Sequence, residues 1–181
     1  MALLNKFNED TRVKFPATIH ALRLGWEYRS YNKSLANGKI DLKTKIFRDS
    51  FKAAIEKING RQFSEEEVQN LLDKIDSLIS NNDLGKEFYN WLINPIDEVK
   101  LIDFDNIDIN IFEVVDELRF GQADNEETAP TIDHFRPDIT FLINGMPLAF
   151  LEVKKPNNEG GIQVEFERML NQRYKKFEWR K

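Results

Sequence analysis

The first residues of the chain carry apolar side chains at helical spacing. Over 5–24 the apolar positions are Phe7, Val13, Ile19, Leu22 and Leu24, and the run stops at Gly25. This pattern predicts an amphipathic helix with a glycine stop, and Pro16 predicts a kink or break within it. The next segment, WEYRSY (26–31), is rich in aromatic residues and predicts a short strand.

Helical spacing returns in the following sixty residues. It is clear over 41–58, and it resumes after Ser64, which together with Glu67 matches the capping-box pattern at a helix start. A shorter periodic run, 84–93, stops before an Asn-Pro step. The N-terminal half is therefore predicted to be mainly helical.

From residue 99 onward the pattern changes to β-branched and aromatic runs separated by polar loops. A final helix is expected after Gly160-Gly161, and no internal repeat occurs. The candidate strands are VKLIDF (99–104), INIFEVVDELRF (109–120), ITFLI (139–143) and LAFLEV (148–153). We predict one domain over 1–181 of the α/β (α+β) class, in which 99–181 forms a small sheet closed by a last helix.

The last two strand candidates flank Asn144-Gly145, a hairpin turn signal. A two-residue turn would pair residue 138 with 151, which places Asp138 and Glu152 on opposite faces. A three-residue connection, 144–146, would pair 138 with 152 and make the other face entirely apolar. Because a one-residue slip scatters both faces, the pattern favours the three-residue connection. The Asp138 and Glu152 carboxylates are then expected within about 6 Å of one another.

Two carboxylates side by side repel each other unless a positive group lies between them. Mg²⁺ or Mn²⁺ fits, since both ions prefer oxygen ligands such as the Asp138 and Glu152 carboxylates and the Val153 backbone carbonyl. Lys154 lies on the same predicted face, where its ammonium could orient a water or neutralise charge on a phosphoryl oxygen. The pattern is typical of a metal-dependent phosphodiesterase. An ion-paired strand end, with Lys154 merely neutralising the carboxylates, remains the alternative.

Composition narrows the function further. With no cysteine and only two histidines, the chain has no disulfides or thiolate metal sites, and a zinc site is disfavoured. No apolar run is long enough for a membrane span, and no signal peptide is evident, so a cytoplasmic protein is expected. The net charge of -5 is segregated, with +7 over 1–61, -14 over 62–128 and +2 over 129–181. Such segregation is compatible with one face meeting a polyanion, although charge alone favours solvated helix faces.

These residues resemble the PD-(D/E)xK nuclease core, with Pro137-Asp138 followed by Glu152-Val153-Lys154. More specifically, FRPDITFLINGMPLAFLEVKKP (135–156) is similar to the N-terminal nuclease region of type I restriction enzyme R (HsdR) subunits. NEDTRVKFPATIHALRLGWEY (8–28) is similar to that family's opening helix, and 100–120 to the strands before the motif.

The resemblance implies a restriction-endonuclease-like core, a small mixed sheet flanked by helices, with 32–95 as a helical insertion. It also implies an endonuclease that cuts double-stranded DNA with Mg²⁺ or Mn²⁺, in a complex with modification and specificity subunits. Asp138, Glu152 and Lys154 would be catalytic, the two carboxylates and the Val153 carbonyl would hold the metal, and Glu9 on the first helix would complete its site. Without the resemblance, the position of Glu9 favours a solvated helix residue.

Two departures from the family pattern matter. The chain has no G-x-x-x-x-G-K-[ST] phosphate loop, so we expect no ATPase motor here; ATP would serve only a longer parent chain of which this is a fragment. The family's Gln-x-x-x-Tyr motif is also absent, and Gln172 is the nearest candidate for its glutamine. Lys155, Arg173 and His134 could join Gln172 in contacting DNA, or all four could be ordinary surface residues.

Two alternatives to a restriction endonuclease remain open at this point. One is a nuclease-fold module that docks DNA or a partner subunit without cutting it. The other is a stand-alone repair nuclease.

Overall fold

The computed structural model describes residues 10–120, 135–154 and 161–168. The chain divides into two compact units: Ala21–Leu151 forms one, and residues before and after that range form the other. A π-helical turn, Asp10–Lys14, leads into helix α1, Phe15–Arg23. Pro16 therefore lies in the first turn of α1, and the predicted irregularity appears as the change from a π-helical to an α-helical turn between Lys14 and Phe15. The prediction of a single domain stays a prediction.

Four helices occupy the stretch between α1 and the end of the predicted insertion: α2 (Tyr31–Ala36), α3 (Arg48–Asn59), α4 (Glu65–Ser80) and α5 (Lys86–Ile93). The predicted capping box at the start of α4 is confirmed, because the side chains of Ser64 and Glu67 each accept the other residue's backbone N–H. The helix predicted over 41–58 begins only at Arg48. Residues 41–47 instead form a tight loop, closed by a hydrogen bond from the Asp41 N–H to the Ile46 carbonyl.

Within the described residues, four strands form one mixed sheet in the order β1-β2-β3-β4. They are β1 (Glu27–Tyr28), β2 (Phe112–Asp116), β3 (Ile139–Ile143) and β4 (Met146–Leu151). β1 is parallel to β2, and the other neighbours are antiparallel. A last helix, α6, spans Gly161–Arg168. The predicted α/β class, with a small mixed sheet flanked by helices, is confirmed.

Two strand predictions need correction. β1 is shorter than 26–31, because Ser30 caps α2 and ends the extended segment. No strand spans 99–104. There the Asn59 side chain replaces a neighbouring strand, since it accepts the Lys100 N–H at 2.9 Å and donates to the Lys100 carbonyl at 2.9 Å. A side chain that satisfies the backbone in this way removes the need for sheet pairing.

The β3–β4 hairpin differs from the predicted connection. Ile143 pairs with Met146, so the turn has two residues, Asn144 and Gly145, with φ of 54° and 74°. Positive φ at both positions is characteristic of the two-residue turns that suit strand twist. A bulge then shifts the register by one residue, and Ile139 pairs with Leu151. The three-residue connection was therefore wrong, whereas the register predicted for the far end of the hairpin is present.

Two groups of buried side chains hold the unit Ala21–Leu151 together. The larger one joins the apolar faces of α3, α4 and α5 to Met146 at the hairpin tip, and Phe51, Leu72 and Trp91 lie at its centre. The smaller one packs Tyr31 and Phe47 against the sheet around Leu142. The helical insertion is thereby packed on the hairpin that carries the candidate site.

Candidate functional site

Asp138 lies directly before β3 and is half-buried. Its backbone carbonyl accepts a hydrogen bond of 3.2 Å from the N–H of Glu117, the residue that follows β2. Glu117 also forms an ion pair of 3.5 Å with Arg136, two residues before Asp138. Pro137, between them, is buried. The backbone around Asp138 is therefore held by contacts to the end of β2.

Glu152, Val153 and Lys154 follow directly after β4. The Glu152 side chain is only 10% exposed and that of Lys154 is 26% exposed, and the Lys154 Nζ lies 3.9 Å from a Glu152 carboxylate oxygen. Val153, between them, is buried. A carboxylate so far removed from water needs a cation or hydrogen-bond donors nearby. The structure provides one such cation in Lys154.

The strand register relates these two chain segments. Ile139 and Leu151 form the last pair between β3 and β4, and Asp138 and Glu152 are the next residues along their strands. Asp138 belongs to the unit Ala21–Leu151, and Glu152 belongs to the other unit. The predicted proximity of their carboxylates stays a prediction.

Two buried polar atoms lie on the strands beside Asp138. The Thr140 hydroxyl, two residues further along β3, and one carboxylate oxygen of Glu113 on β2 have no hydrogen-bond partner within the described part of the chain. Both residues are at least 95% buried. Glu113 pairs with Leu142, so Glu113 and Thr140 share one face of the sheet, which is also the face of strand position 138. Oxygen atoms in this position add to the acceptor character of the face.

The sequence analysis missed a cluster of charges centred on Arg29. The guanidinium donates to Glu113 at 2.9 Å and to Asp49 at 2.5 Å, and the Ser50 hydroxyl donates to the same Glu113 oxygen at 2.9 Å. Burial alone would raise the pKa of Asp49, but hydrogen bonds from Arg29 and Lys39 outweigh it and hold that pKa below its ordinary value. The cluster ties β1 and β2 to α3. A glutamate within the apolar run IFEVV was the signal that could have revealed it.

Five predicted site residues lie outside the described residues: Glu9, His134, Lys155, Gln172 and Arg173. Within residues 10–120, 135–154 and 161–168, no group of three or more His, Cys, Asp or Glu side chains that could hold a metal ion occurs. Over the same ranges, no helix is both long enough and apolar enough to cross a membrane. The contribution of Glu9 and the predicted contacts to DNA stay predictions.

Comparison with known proteins settles the family. The model of the type I restriction enzyme R protein N terminus matches residues 6–179. The chain belongs to this family. The restriction-endonuclease-like resemblance seen in the sequence is thereby confirmed at the level of the family and of the mixed sheet flanked by helices.

Proteins with similar sequences are named as endonuclease subunits of type I restriction enzymes. A Methanocaldococcus jannaschii protein, named as the MjaIXP endonuclease subunit of a type I restriction enzyme, is 31% identical over 170 residues, covering 84% of this chain and 16% of that protein. The HindI endonuclease subunit of Haemophilus influenzae is 29% identical over 159 residues, covering 75% of this chain and 14% of that protein. The chain therefore corresponds to about a sixth of the length of these R proteins.

Proposed function

We propose that this chain is the endonuclease domain of a type I restriction enzyme R subunit and hydrolyses DNA phosphodiester bonds with Mg²⁺ or Mn²⁺. Family membership and the names of the related endonuclease subunits support the general role. The observation that carries the specific proposal is the Ile139–Leu151 pair, because Asp138 and Glu152 are the next residue on each strand. Double-stranded DNA and the modification and specificity subunits are the proposed partners. Use of ATP is assigned to a longer parent chain.

The oxygen ligands that these residues offer suit a hard divalent cation. Mg²⁺ is commonly held by one or two carboxylates, with water and substrate phosphate as the remaining ligands. Asp138, Glu152 and the Val153 carbonyl would supply the protein oxygens, with Glu9 as a further carboxylate. The largely buried Glu152 side chain fits this role, since a carboxylate removed from water gains most from a cation. When bound, such an ion would polarise the scissile phosphate and promote ionisation of the attacking water.

The remaining proposed site residues stabilise negative charge on the phosphate or bind the DNA backbone. Lys154 is the proposed catalytic lysine, because its ammonium lies beside Glu152 and can stabilise negative charge that develops on a phosphoryl oxygen. Lys155, Arg173, Gln172 and His134 are proposed to contact the DNA backbone.

The test is cleavage of supercoiled plasmid DNA by the 181-residue chain with MgCl₂ or MnCl₂. We expect nicked and linear products from the wild type. Asp138→Asn, Glu152→Gln and Lys154→Ala should each lower the rate by at least about a hundredfold, the scale for loss of one charge-stabilising group. Glu167→Gln is the matched control. This exposed carboxylate on α6 accepts a hydrogen bond of 3.4 Å from Gln163, and its replacement should leave cleavage unchanged.

Metal binding separates the roles. Lys154→Ala removes no proposed ligand, so it should still bind Mn²⁺ in calorimetry, whereas Asp138→Asn and Glu152→Gln should bind it more weakly. A wild-type chain that binds DNA but cuts it with neither metal would contradict the proposal and favour a docking module. Cleavage confined to branched or damaged DNA would instead indicate a repair nuclease.

A further inference from the structure

The pairing of β2 with β3 continues beyond the ends of both strands. The Glu117 N–H donates to the Asp138 carbonyl at 3.2 Å, and the Phe120 N–H donates to the Phe135 carbonyl at 2.8 Å in the same register. Between these two bonds lies Pro137, which has no N–H and interrupts the ladder. Asp138 is therefore held between two paired stretches, and Glu117 provides the bond nearest to it.

Glu117 has a backbone conformation that side chains rarely adopt. Its φ is 51°, in the left-handed region that favours glycine. The next residue, Leu118, is fully buried, which fixes the chain on that side. The Glu117 side chain forms an ion pair of 3.5 Å with Arg136, two residues before Asp138. This pair connects the strained residue to the segment that leads into the candidate site.

We propose that Glu117 is a positioning residue for the Asp138 carboxylate. Its N–H restrains the Asp138 carbonyl and its carboxylate restrains Arg136, so the segment 136–138 is held at both ends, with the fixed φ of Pro137 between them. This role rests on the proposed metal site. Groups that orient a metal ligand through a second contact change metal affinity although they do not touch the metal.

The ion pair itself adds little to fold stability. The Arg136 and Glu117 side chains are 49% and 42% exposed, and exposed pairs of this kind contribute little to the free energy of unfolding. If the pair between Glu117 and Arg136 served only the fold, its removal would leave the metal affinity unchanged. A positioning role predicts weaker metal binding with a nearly unchanged melting temperature.

The experiment measures Mn²⁺ binding to the 181-residue chain by isothermal titration calorimetry without DNA, together with the melting temperature. Glu117→Gln and Arg136→Gln should each raise the Kd for Mn²⁺ by about tenfold, the lower end for residues that orient a ligand. Their melting temperatures should stay within about 2 °C of the wild type. The charge-reversed pair Glu117→Arg with Arg136→Glu should restore most of the affinity. Glu98→Gln is the matched control, because Glu98 is an exposed glutamate with a φ of 62°.

Asp138→Asn and Glu117→Gln together distinguish loss of the positioning role from loss of the metal site. If Asp138→Asn weakens Mn²⁺ binding but Glu117→Gln behaves like Glu98→Gln, the positioning role is overturned and the metal site stands. If Asp138→Asn itself leaves the Mn²⁺ affinity unchanged, the metal site falls and the positioning role falls with it. Glu117→Gly, which relieves the backbone strain but removes the carboxylate, should also bind Mn²⁺ more weakly; wild-type affinity there would count against the role of the ion pair.

Discussion

Replacing Asn144 with alanine should destabilise the chain by several kcal/mol, because this one side chain satisfies three backbone or side-chain groups around the hairpin turn. Its Oδ1 accepts the Ile111 N–H at 2.8 Å, and its Nδ2 donates to the Leu101 carbonyl at 2.8 Å and to the Asn110 Oδ1 at 2.9 Å. Asn144 is fully buried. Water cannot readily replace these bonds when the side chain is removed.

The magnitude follows from those contacts and from the backbone. The Asn110 Oδ1 still accepts the Asp103 N–H at 3.0 Å, so Asn144→Ala leaves two groups unsatisfied, the Ile111 N–H and the Leu101 carbonyl. Each group left unsatisfied in the interior costs about 1–3 kcal/mol, so the two cost at least about 2 kcal/mol. Alanine at a φ of 54° adds roughly 1 kcal/mol, because asparagine tolerates the left-handed region better. We therefore expect a loss of about 3 kcal/mol for Asn144→Ala, a large part of the ~5–15 kcal/mol that stabilises a typical domain.

Urea unfolding followed by tryptophan fluorescence measures this loss, since Trp91 is buried in the larger core group. Asn144→Gly separates the hydrogen-bond cost from the backbone cost. Glycine accepts the left-handed conformation without strain, so this variant should lose only the hydrogen-bond part, about 2 kcal/mol. Asn90→Ala, at an exposed position of α5, is the control and should stay within about 0.5 kcal/mol of the wild type. A loss below 1 kcal/mol for Asn144→Ala would show that the three bonds do not support the turn.

Three further outcomes are expected. Gly145→Ala should cost at least about 3 kcal/mol in urea unfolding, because a Cβ there would lie 2.5 Å from the Phe47 carbonyl oxygen and 2.9 Å from the Phe51 nitrogen; an unchanged midpoint would contradict this packing. Ser64→Ala should cost about 1 kcal/mol by removing the helix cap, whereas Ser64→Asp should retain it. Asp49 has a lowered pKa in the folded chain, so its stabilising effect is complete above the ordinary value of 3.8 and is lost as the pH falls through the lower folded value. Asp49→Asn should therefore flatten the acid limb of a stability-pH curve, and an unaltered limb would refute the assignment.

Helix positions were predictable from the sequence where local signals and packing agree. Ser64 and Glu67 mark a helix start through contacts between residues three apart, and such contacts can be read from the sequence. The absence of a strand over 99–104 was not predictable. It depends on Asn59, which lies about forty residues earlier and satisfies the backbone of Lys100. The apolar pattern there records burial, and burial alone does not distinguish a strand from an irregular segment.

The candidate site also combines features that the sequence predicts with features that depend on distant residues. Asp138, Glu152 and Lys154 stand out because charges interrupt apolar strands, and this signal requires no knowledge of the fold. Glu113 interrupts an apolar strand in the same way, yet its partner Arg29 lies more than eighty residues away. Whether a buried carboxylate belongs to an ion pair or to a reactive site depends on such distant partners. The sequence identifies the unusual residue but not its use.

The hairpin explains how a wrong turn prediction could accompany a correct register at the charged end. Two requirements compete: Asn144 and Gly145 favour a two-residue turn, whereas the alternation of apolar and charged residues requires the register in which Ile139 meets Leu151. Continuous strands satisfy only one of them. The bulge between the turn and the charged end accommodates both, since one extra residue on β4 shifts the register after the turn has formed. β2 pairs with β3 without interruption from Phe112 to Asp116, so the alignment of β3 at its charged end is set by β2 and is independent of the turn. The turn therefore anchors the hairpin to the helical insertion, while the sheet sets the positions from which Asp138 and Glu152 leave their strands.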